Sequence, residues 1–254
     1  MPGERSLADR HAVVTGGSRG IGAACGRALA AAGARVTLMG RDRAALAAVA
    51  AGIADAQAVL CDVTDADAIL RAFDEARRRG PVSILVNNAG MAASAPFLKT
   101  GDEIIAKMFA TNVTSAFRCT RAALPDMQAQ GWGRVVNIAS IAGLKGGRYI
   151  SAYVASKHAL VGFTRALAAE VQGKGITVNA VCPGYVDTDM TRRTIANIVA
   201  RTKLTEEQAL AEIARGNAGG RLIAPEEVAA EVVRLCAPQS NSINGQAIPM
   251  GDIA

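Results

Sequence analysis

One regularity restricts the fold of this chain more than any other. Short runs rich in Val, Ile and Thr alternate with longer Ala- and Leu-rich stretches whose apolar residues recur at helical spacing. The two patterns separate because side chains change face at every residue of a strand but return to one face only after about 3.6 residues of a helix. The runs predict strands near 11–15, 35–39, 58–61, 84–87, 134–138, 177–181 and 246–249. The stretches predict helices near 21–32, 43–53, 66–79, 102–127, 152–172 and 225–236. Strand–helix–strand repetition builds βαβ units, so the expected class is α/β: a doubly wound parallel sheet between two layers of helices. No linker or repeat interrupts the pattern, and residues 1–254 are expected to form one domain.

Composition narrows the function. Half of the residues are apolar, enough for a large core, while aromatics are only 4% and Ala and Gly dominate, which suits helices lying close on a sheet. The net charge of +6 permits anionic partners, yet the 28 basic residues are scattered among 22 acids without a dense run, so nucleic acid is not an expected partner. The five cysteines, Cys25, Cys61, Cys119, Cys182 and Cys236, are odd in number and form no CxxC, which points to reduced thiols in a cytoplasm. The first residues are polar and charged, unlike a secretory signal, and the apolar segment 44–59 is broken by Gly52 and Asp55, so no membrane span is expected. With only His11 and His158, neither a His-based metal site nor a Ser-His-Asp triad has material, and no metal is expected. Ser140 lies in the segment IASIA, which lacks the glycines of a hydrolase nucleophile elbow.

Ligands of open α/β sheets sit at loops following the carboxyl ends of strands. Here the breaker-rich segments 91–101, 142–148 and 183–193 each follow a strand. The first strand runs into segment 15–22, TGGSRGIG, which opens the first helix. Glycines let backbone amides approach a pyrophosphate, and a helix N-terminus adds partial positive charge, so Gly16, Ser18, Arg19, Gly20, Ile21 and Gly22 form a candidate dinucleotide cradle. The spacing is GxxxGxG, and its place in a βαβ unit is what gives it weight. In such folds an acid about 20 residues on binds the ribose 2′-OH, whereas an Arg receives a 2′-phosphate. Gly40 stands where the acid is expected, and Arg41 with Arg19 can flank a phosphate, favouring NADP (NADPH) over NAD. The competing assignment makes Asp42 the ribose acid.

Tyr153 and Lys157, four apart on a helical run, share a face. An ammonium beside a phenol lowers its pKa, so the pair can exchange a proton with a carbonyl or alcohol oxygen. Ser140, at the end of the preceding strand, can hydrogen-bond the same oxygen, and Asn112 can link to Lys157 through water. Segment 188–221 is the least sheet-like. Thr205 and Gln208 have capping-box spacing before a helical run at 209–213, which Gly216, Gly219 and Gly220 end, so a helical lid above the strand ends is expected.

In order, segment 15–22, NNAG at 87–90, Asn112, Ser140, Tyr153 with Lys157, and Pro183 with Gly184 resemble the short-chain dehydrogenase/reductase family along nearly the whole chain. The resemblance implies a Rossmann-like sheet, a nicotinamide cofactor and a homotetramer paired through the long helices. It implies Tyr153 as proton donor in reduction, Lys157 as ribose ligand, Ser140 as the group orienting a carbonyl, and Asn112 as holder of a water relay. It puts Asp62 and Val63 at the adenine, Asn88, Ala89 and Gly90 along the cofactor, and Pro183, Gly184, Val186 and Thr188 at the nicotinamide amide. The tail NGQAIPMGD at 244–252 departs from the usual ending of the last strand. Segments 131–140 and 156–164 are similar to the branch of 3-oxoacyl carrier-protein, acetoacetyl-CoA and polyketide ketoreductases. Apolar walls at 91–98 and 141–149, Tyr185 and Met190, with Lys99, Lys145, Arg148, Arg192, Arg193, Arg201 and Lys203 at the mouth, suit an acyl thioester. The alternative is an NAD(P)-dependent dehydrogenase of a 3-hydroxyacyl-CoA or of a cyclic or aromatic secondary alcohol.

Overall fold

The computed structural model describes residues 6–251. Asp252, part of the altered tail, and the first residues lie outside the described residues. The strands are β1 (His11–Thr15), β2 (Arg35–Gly40), β3 (Ala56–Leu60), β4 (Ile84–Asn87), β5 (Gly133–Ile138), β6 (Ile176–Pro183) and β7 (Ala247–Met250). The helices are α1 (Gly20–Ala31), α2 (Arg43–Ala51), α3 (Ala66–Arg77), α4 (Asp102–Phe109), α5 (Ser115–Gln130), α6 (Ser151–Glu170), α7 (Asp189–Arg201), α8 (Glu206–Ala214) and α9 (Pro225–Cys236).

The strands form one parallel sheet in the order β3-β2-β1-β4-β5-β6-β7. The strand order switches side between β1 and β4, and in open parallel sheets the ligand crevice lies at such a switch point, above the carboxyl ends. Every residue of β1, β5 and β6 is buried, as a parallel sheet covered on both faces requires. Alternation sorts the side chains. Ala12, Val14, Leu38, Ile84, Val86 and Val136 face α1, α2 and α9, meeting Leu29, Leu46, Val228 and Val232. Val13, Met39, Leu85 and Val135 face α3, α5 and α6, meeting Phe73, Cys119, Met127 and Leu167. In α3 the buried Ile69, Ala72, Phe73 and Ala76 recur at helical spacing, which is why this segment lies on the sheet as a helix.

The expected α/β architecture holds, with three local corrections. The helix expected over 102–127 is α4 and α5, joined by a π turn at Ala110–Thr114. The apolar pattern runs through both, and one widened turn leaves no mark on it. Strand β3 starts at Ala56, two residues before its expected start, and ends at Leu60. It is an edge strand with exposed positions, so its apolar signal is thin. Segment 188–221 holds two helices, not one: α7 precedes α8, and α8 carries the anticipated capping box of Thr205 and Gln208.

Candidate active site

The glycine loop forms because its backbone must turn where a side chain would collide. Gly16 and Gly20 have φ of +66° and +51°. A Cβ on Gly22 would overlap the Gly16 carbonyl oxygen. Asn88 braces the turn, its Nδ2 donating to the carbonyls of Thr15 at 2.9 Å and Gly16 at 3.1 Å. The amides of Asn88 and Ala89 both donate to Thr15 Oγ1 at 3.0 Å. Arg19, at the N-cap of α1, is extended and supplies no side-chain cap, and the first turn holds no acid. The amides and positive dipole end of α1 therefore face the crevice unopposed, the condition for binding an anion.

Beside this loop, Gly40 brings β2 close to Ser18: a Cβ there would lie 3.8 Å from Ser18 Oγ. Asp42 caps α2, accepting from the Ala45 amide at 3.1 Å, so its carboxylate is engaged locally. Arg41 pairs with Asp62 at 3.7 Å. Asp62 also accepts from the Thr64 amide at 2.9 Å and hydroxyl at 2.8 Å, and chiefly this amide bond, with help from Arg41, holds its carboxyl below the usual range. Val63 is buried next to it. Arg19 pairs with a different acid, Asp189 at the start of α7, at 3.4 Å. The two arginines expected around one phosphate each have a carboxylate of their own.

Tyr153 and Lys157 lie on the first turns of α6. Lys157 Nζ is 5.8 Å from the centre of the Tyr153 ring and donates to the Ile138 carbonyl at 2.8 Å. Burial brings the Lys157 ammonium down to about 8. Burial pushes the Tyr153 phenol up, and hydrogen bonding with Ser140 pulls it back in part. The net shift of Tyr153 is upward, opposite to the depression expected beside Lys157, because desolvation outweighs what lowers it, and the phenol stays neutral. Ser140 lies two residues beyond β5, not at its end. Its hydroxyl accepts from the Ala142 amide at 3.1 Å, starting a short 3-10 turn, Ile141–Gly143, and reaches the Pro183 carbonyl at 3.4 Å.

Asn112 sits in the π turn, a deformation frequent at functional sites. Its side chain is engaged differently from the expected water link to Lys157. Nδ2 donates to the Met91 carbonyl at 2.9 Å and Ser156 Oγ at 3.0 Å, while Oδ1 accepts from the Met91 amide at 2.8 Å. Ser156 in turn donates to the Tyr153 carbonyl at 2.8 Å. Gly90 fills the space between: a Cβ there would stand 3.3 Å from Asn112 Oδ1 and 3.7 Å from Lys157 Nζ.

Several contributors escaped the sequence reading. Ser156 is one. Asn87 and Asn137 form a second set, meeting across β4 and β5 at 2.8 Å and extending to Thr120 at 3.1 Å and Thr164 at 2.8 Å. Their signal was present: Asn87 ends the apolar run of β4, and Asn137 interrupts the apolar run of β5 one residue before its end. Asn217 is the third. Its Oδ1 accepts from the Tyr185 amide at 2.8 Å, and its Nδ2 donates to the carbonyls of Tyr185 at 2.7 Å and Arg221 at 2.8 Å. A Cβ on Gly184 would overlap that oxygen. The pinned loop runs from Pro183 through buried Val186 to Thr188, whose Cγ2 lies 3.1 Å from where a Gly20 Cβ would be. The glycine loop, the Tyr153–Lys157 pair and the loop before α7 therefore converge.

Cys182 is fully buried beside Pro183, its thiol pushed up to about 11, a packing residue and not a nucleophile. His158 is exposed and bonds the Val154 carbonyl. Phe97, Leu98 and Tyr149 are 76%, 96% and 61% exposed on the loops after β4 and β5. Tyr149 has φ of +64°, and its carbonyl accepts from Ala95, which clamps the two loops together. Among the described residues, no group of His, Cys, Asp and Glu is placed to hold a metal.

The chain as a whole is similar to known proteins. Residues 10–198 match the family described as short chain dehydrogenase. A Streptomyces violaceoruber protein named as a ketoacyl reductase of granaticin polyketide synthase is 40% identical over 93% of this chain and 90% of its own. A galactitol 2-dehydrogenase of Cereibacter sphaeroides is 41% identical over 92% of this chain and 90% of its own. A crystal structure of a variant actinorhodin polyketide ketoreductase with NADPH superposes with a TM-score of 0.92 at 35% identity, covering 98% of both chains. With a family match across most of its length and relatives at this identity, the chain belongs to the short-chain dehydrogenase family of oxidoreductases.

Proposed function

We propose that the chain is an NADPH-dependent ketoreductase that converts a 3-ketoacyl thioester, on coenzyme A or a carrier protein, to the 3-hydroxyacyl thioester. The observation that carries this reading is a neutral, half-buried Tyr153 phenol one helical turn from Lys157, with the Ser140 hydroxyl alongside and the glycine cradle next to it. The loop fits a dinucleotide: its glycines leave backbone where side chains would intrude, and the first amides of α1 lack a side-chain partner. Gly16, Ser18, Arg19, Gly20, Ile21 and Gly22 would hold the pyrophosphate and, with Arg41, a 2′-phosphate. Asp62 and Val63 would meet the adenine. Asn88, Ala89 and Gly90 would line the ribose, and Pro183, Gly184, Val186 and Thr188 the nicotinamide.

When bound, the reduced nicotinamide supplies a hydride to the ketone carbon. Tyr153 gives its phenolic proton to the carbonyl oxygen as the C=O pair shifts onto it, so the product is an alcohol and Tyr153 is left as a phenolate. The Ser140 hydroxyl orients the carbonyl. Lys157, positively charged at neutral pH, steadies the phenolate and lies close enough in pKa to restore its proton. Asn112 and Ser156 hold the start of α6 against the loop after β4, fixing Tyr153 in place.

The thioester is supported by the apolar mouth loops and by the ketoacyl reductase among the relatives. The second reading, an NAD(P)-dependent dehydrogenase of a secondary alcohol, is favoured by the galactitol dehydrogenase at equal identity. Unpaired buried cysteines accord with a cytoplasmic setting, and no described helix is long and apolar enough to cross a membrane. The test follows nicotinamide absorbance with NADPH and NADH in parallel, on acetoacetyl-CoA, with galactitol and NAD as the oxidative arm. Consumption of NADPH on the thioester supports the proposal; activity confined to the alcohol overturns its substrate. Tyr153→Phe should lower turnover by about 10²–10⁴-fold while cofactor affinity stays near wild type. Unchanged turnover would remove the proton-transfer role.

A further inference from the structure

The two candidate phosphate-reading arginines differ in the acids they pair with. Asp62, the partner of Arg41, is locked by Thr64 at the end of β3 and belongs to the cofactor side of the crevice. Asp189, the partner of Arg19, belongs to the first turn of α7. Asp189 reaches Arg19 with Oδ2 and Arg192 with Oδ1 at 3.3 Å, and Arg192 also holds Asp187 at 3.0 Å. The junction lies where the Thr188 side chain packs against Gly20. Both members of the Arg19 pair are substantially exposed, 60% and 45%, so the pair is weak and exchangeable. Arg19 also stands at an extended N-cap beside Ser18, which borders Gly40 and Arg41.

We infer that Asp189 is a specificity-determining residue, competing with the cofactor's 2′-phosphate for Arg19 and so reducing the preference for NADPH over NADH. The inference rests on the NADPH reading above. A guanidinium can satisfy the carboxylate or take the phosphate, and the phosphate carries more charge, so the pair yields when NADPH arrives but costs part of its binding. NADH has no 2′-phosphate and leaves Arg19 with Asp189. The discrimination between cofactors is thereby tied to the start of the lid, since taking Arg19 removes one of the two cations that hold the carboxylate of α7.

The test is direct binding, by calorimetric titration of NADPH and NADH into wild type, Asp189→Asn, Arg19→Gln and the double variant at low ionic strength. Asparagine keeps the shape of the side chain and is well tolerated near a helix start. The expected result is a gain in NADPH affinity of about three- to fivefold for Asp189→Asn, the scale of an exposed ion pair. The NADH gain should be smaller, and the difference should vanish in the Arg19→Gln background. Equal gains for both cofactors, no gain, or a gain that survives without Arg19 would overturn the role of Asp189. If wild type prefers NADH, the cofactor reading itself fails and the inference with it; if Arg19→Gln leaves the NADPH preference intact, Arg19 does not read the phosphate and the inference alone fails. A wild-type preference for NADPH that depends on Arg19, beside a silent Asp189→Asn, overturns the inference alone.

Discussion

At the scale of single residues, burial sets the proton chemistry more than charge pairing does. Tyr153 and Lys157 move in opposite directions for one reason, since a low-dielectric setting disfavours the phenolate and the ammonium alike. A neutral phenol is the protonation state that reduction needs. Lys157 must be charged to steady the phenolate, and burial places its loss of charge near 8. The rate of ketone reduction, as kcat/KM, should be level near neutrality and fall by about tenfold per pH unit above about 8, because a neutral amine no longer stabilises the transition state. Lys157→Arg, which stays charged, should move that fall to higher pH even if the rate is lower. A profile level to pH 10 in wild type would take Lys157 out of the step. Tyr153, Lys157, Ser140 and Asn112 could be picked from the sequence because they stand in the order of a family's motifs, while spacing alone says only that Tyr153 and Lys157 share a helix face. Their energetics could not, because desolvation depends on what the rest of the chain stacks over them.

At the scale of elements, the strands and the helices under the sheet were legible because period and burial coincide in them. The π turn was not, because the wider turn falls inside a continuous apolar pattern. Nor was the role of Asn217, which a sequence shows only as a polar residue beside glycines. In the fold it acts as a substitute peptide group, giving the loop at Tyr185 and the strand-like segment at Arg221 the bonds that a neighbouring strand would give. Asn217→Ala strands three backbone bonding partners in a half-buried setting and should destabilise the protein by about 2 kcal/mol in chemical denaturation. Amide exchange should speed up at Tyr185 and around Ile223 before it does in β1 or β5. Uniform protection loss across the sheet would mean that Asn217 supports the core and not the lid base.

At the scale of the whole molecule, the outer faces of α5 and α6 do not look finished. Phe117 is 43% exposed and stacks on Phe163 with ring centres 3.9 Å apart, an aromatic pair that is only partly covered. A second copy of the chain is the expected cover, in keeping with the homotetramer that the family resemblance implies. Phe117→Glu should then sediment as a smaller species than wild type at micromolar concentration, with cofactor binding retained. A wild type that sediments as a monomer would remove the tetramer, and an unchanged variant would remove this face from its assembly.

The wall around the mouth has a different relation to the fold from the groups beneath it. Asn112, Ser156, Asn88 and Asn217 fasten the reacting residues through backbone partners, and none of these bonds uses the side chains of Phe97, Leu98, Tyr149 or Met190. The rim is joined to itself by the bond from Ala95 to the Tyr149 carbonyl, which any non-proline residue at position 95 can make. Side chains on the rim can therefore be exchanged without loosening the proton-transfer machinery. A chain built this way is free to acquire a new substrate by altering its vestibule alone, so its appetite is the most easily rewritten of its properties.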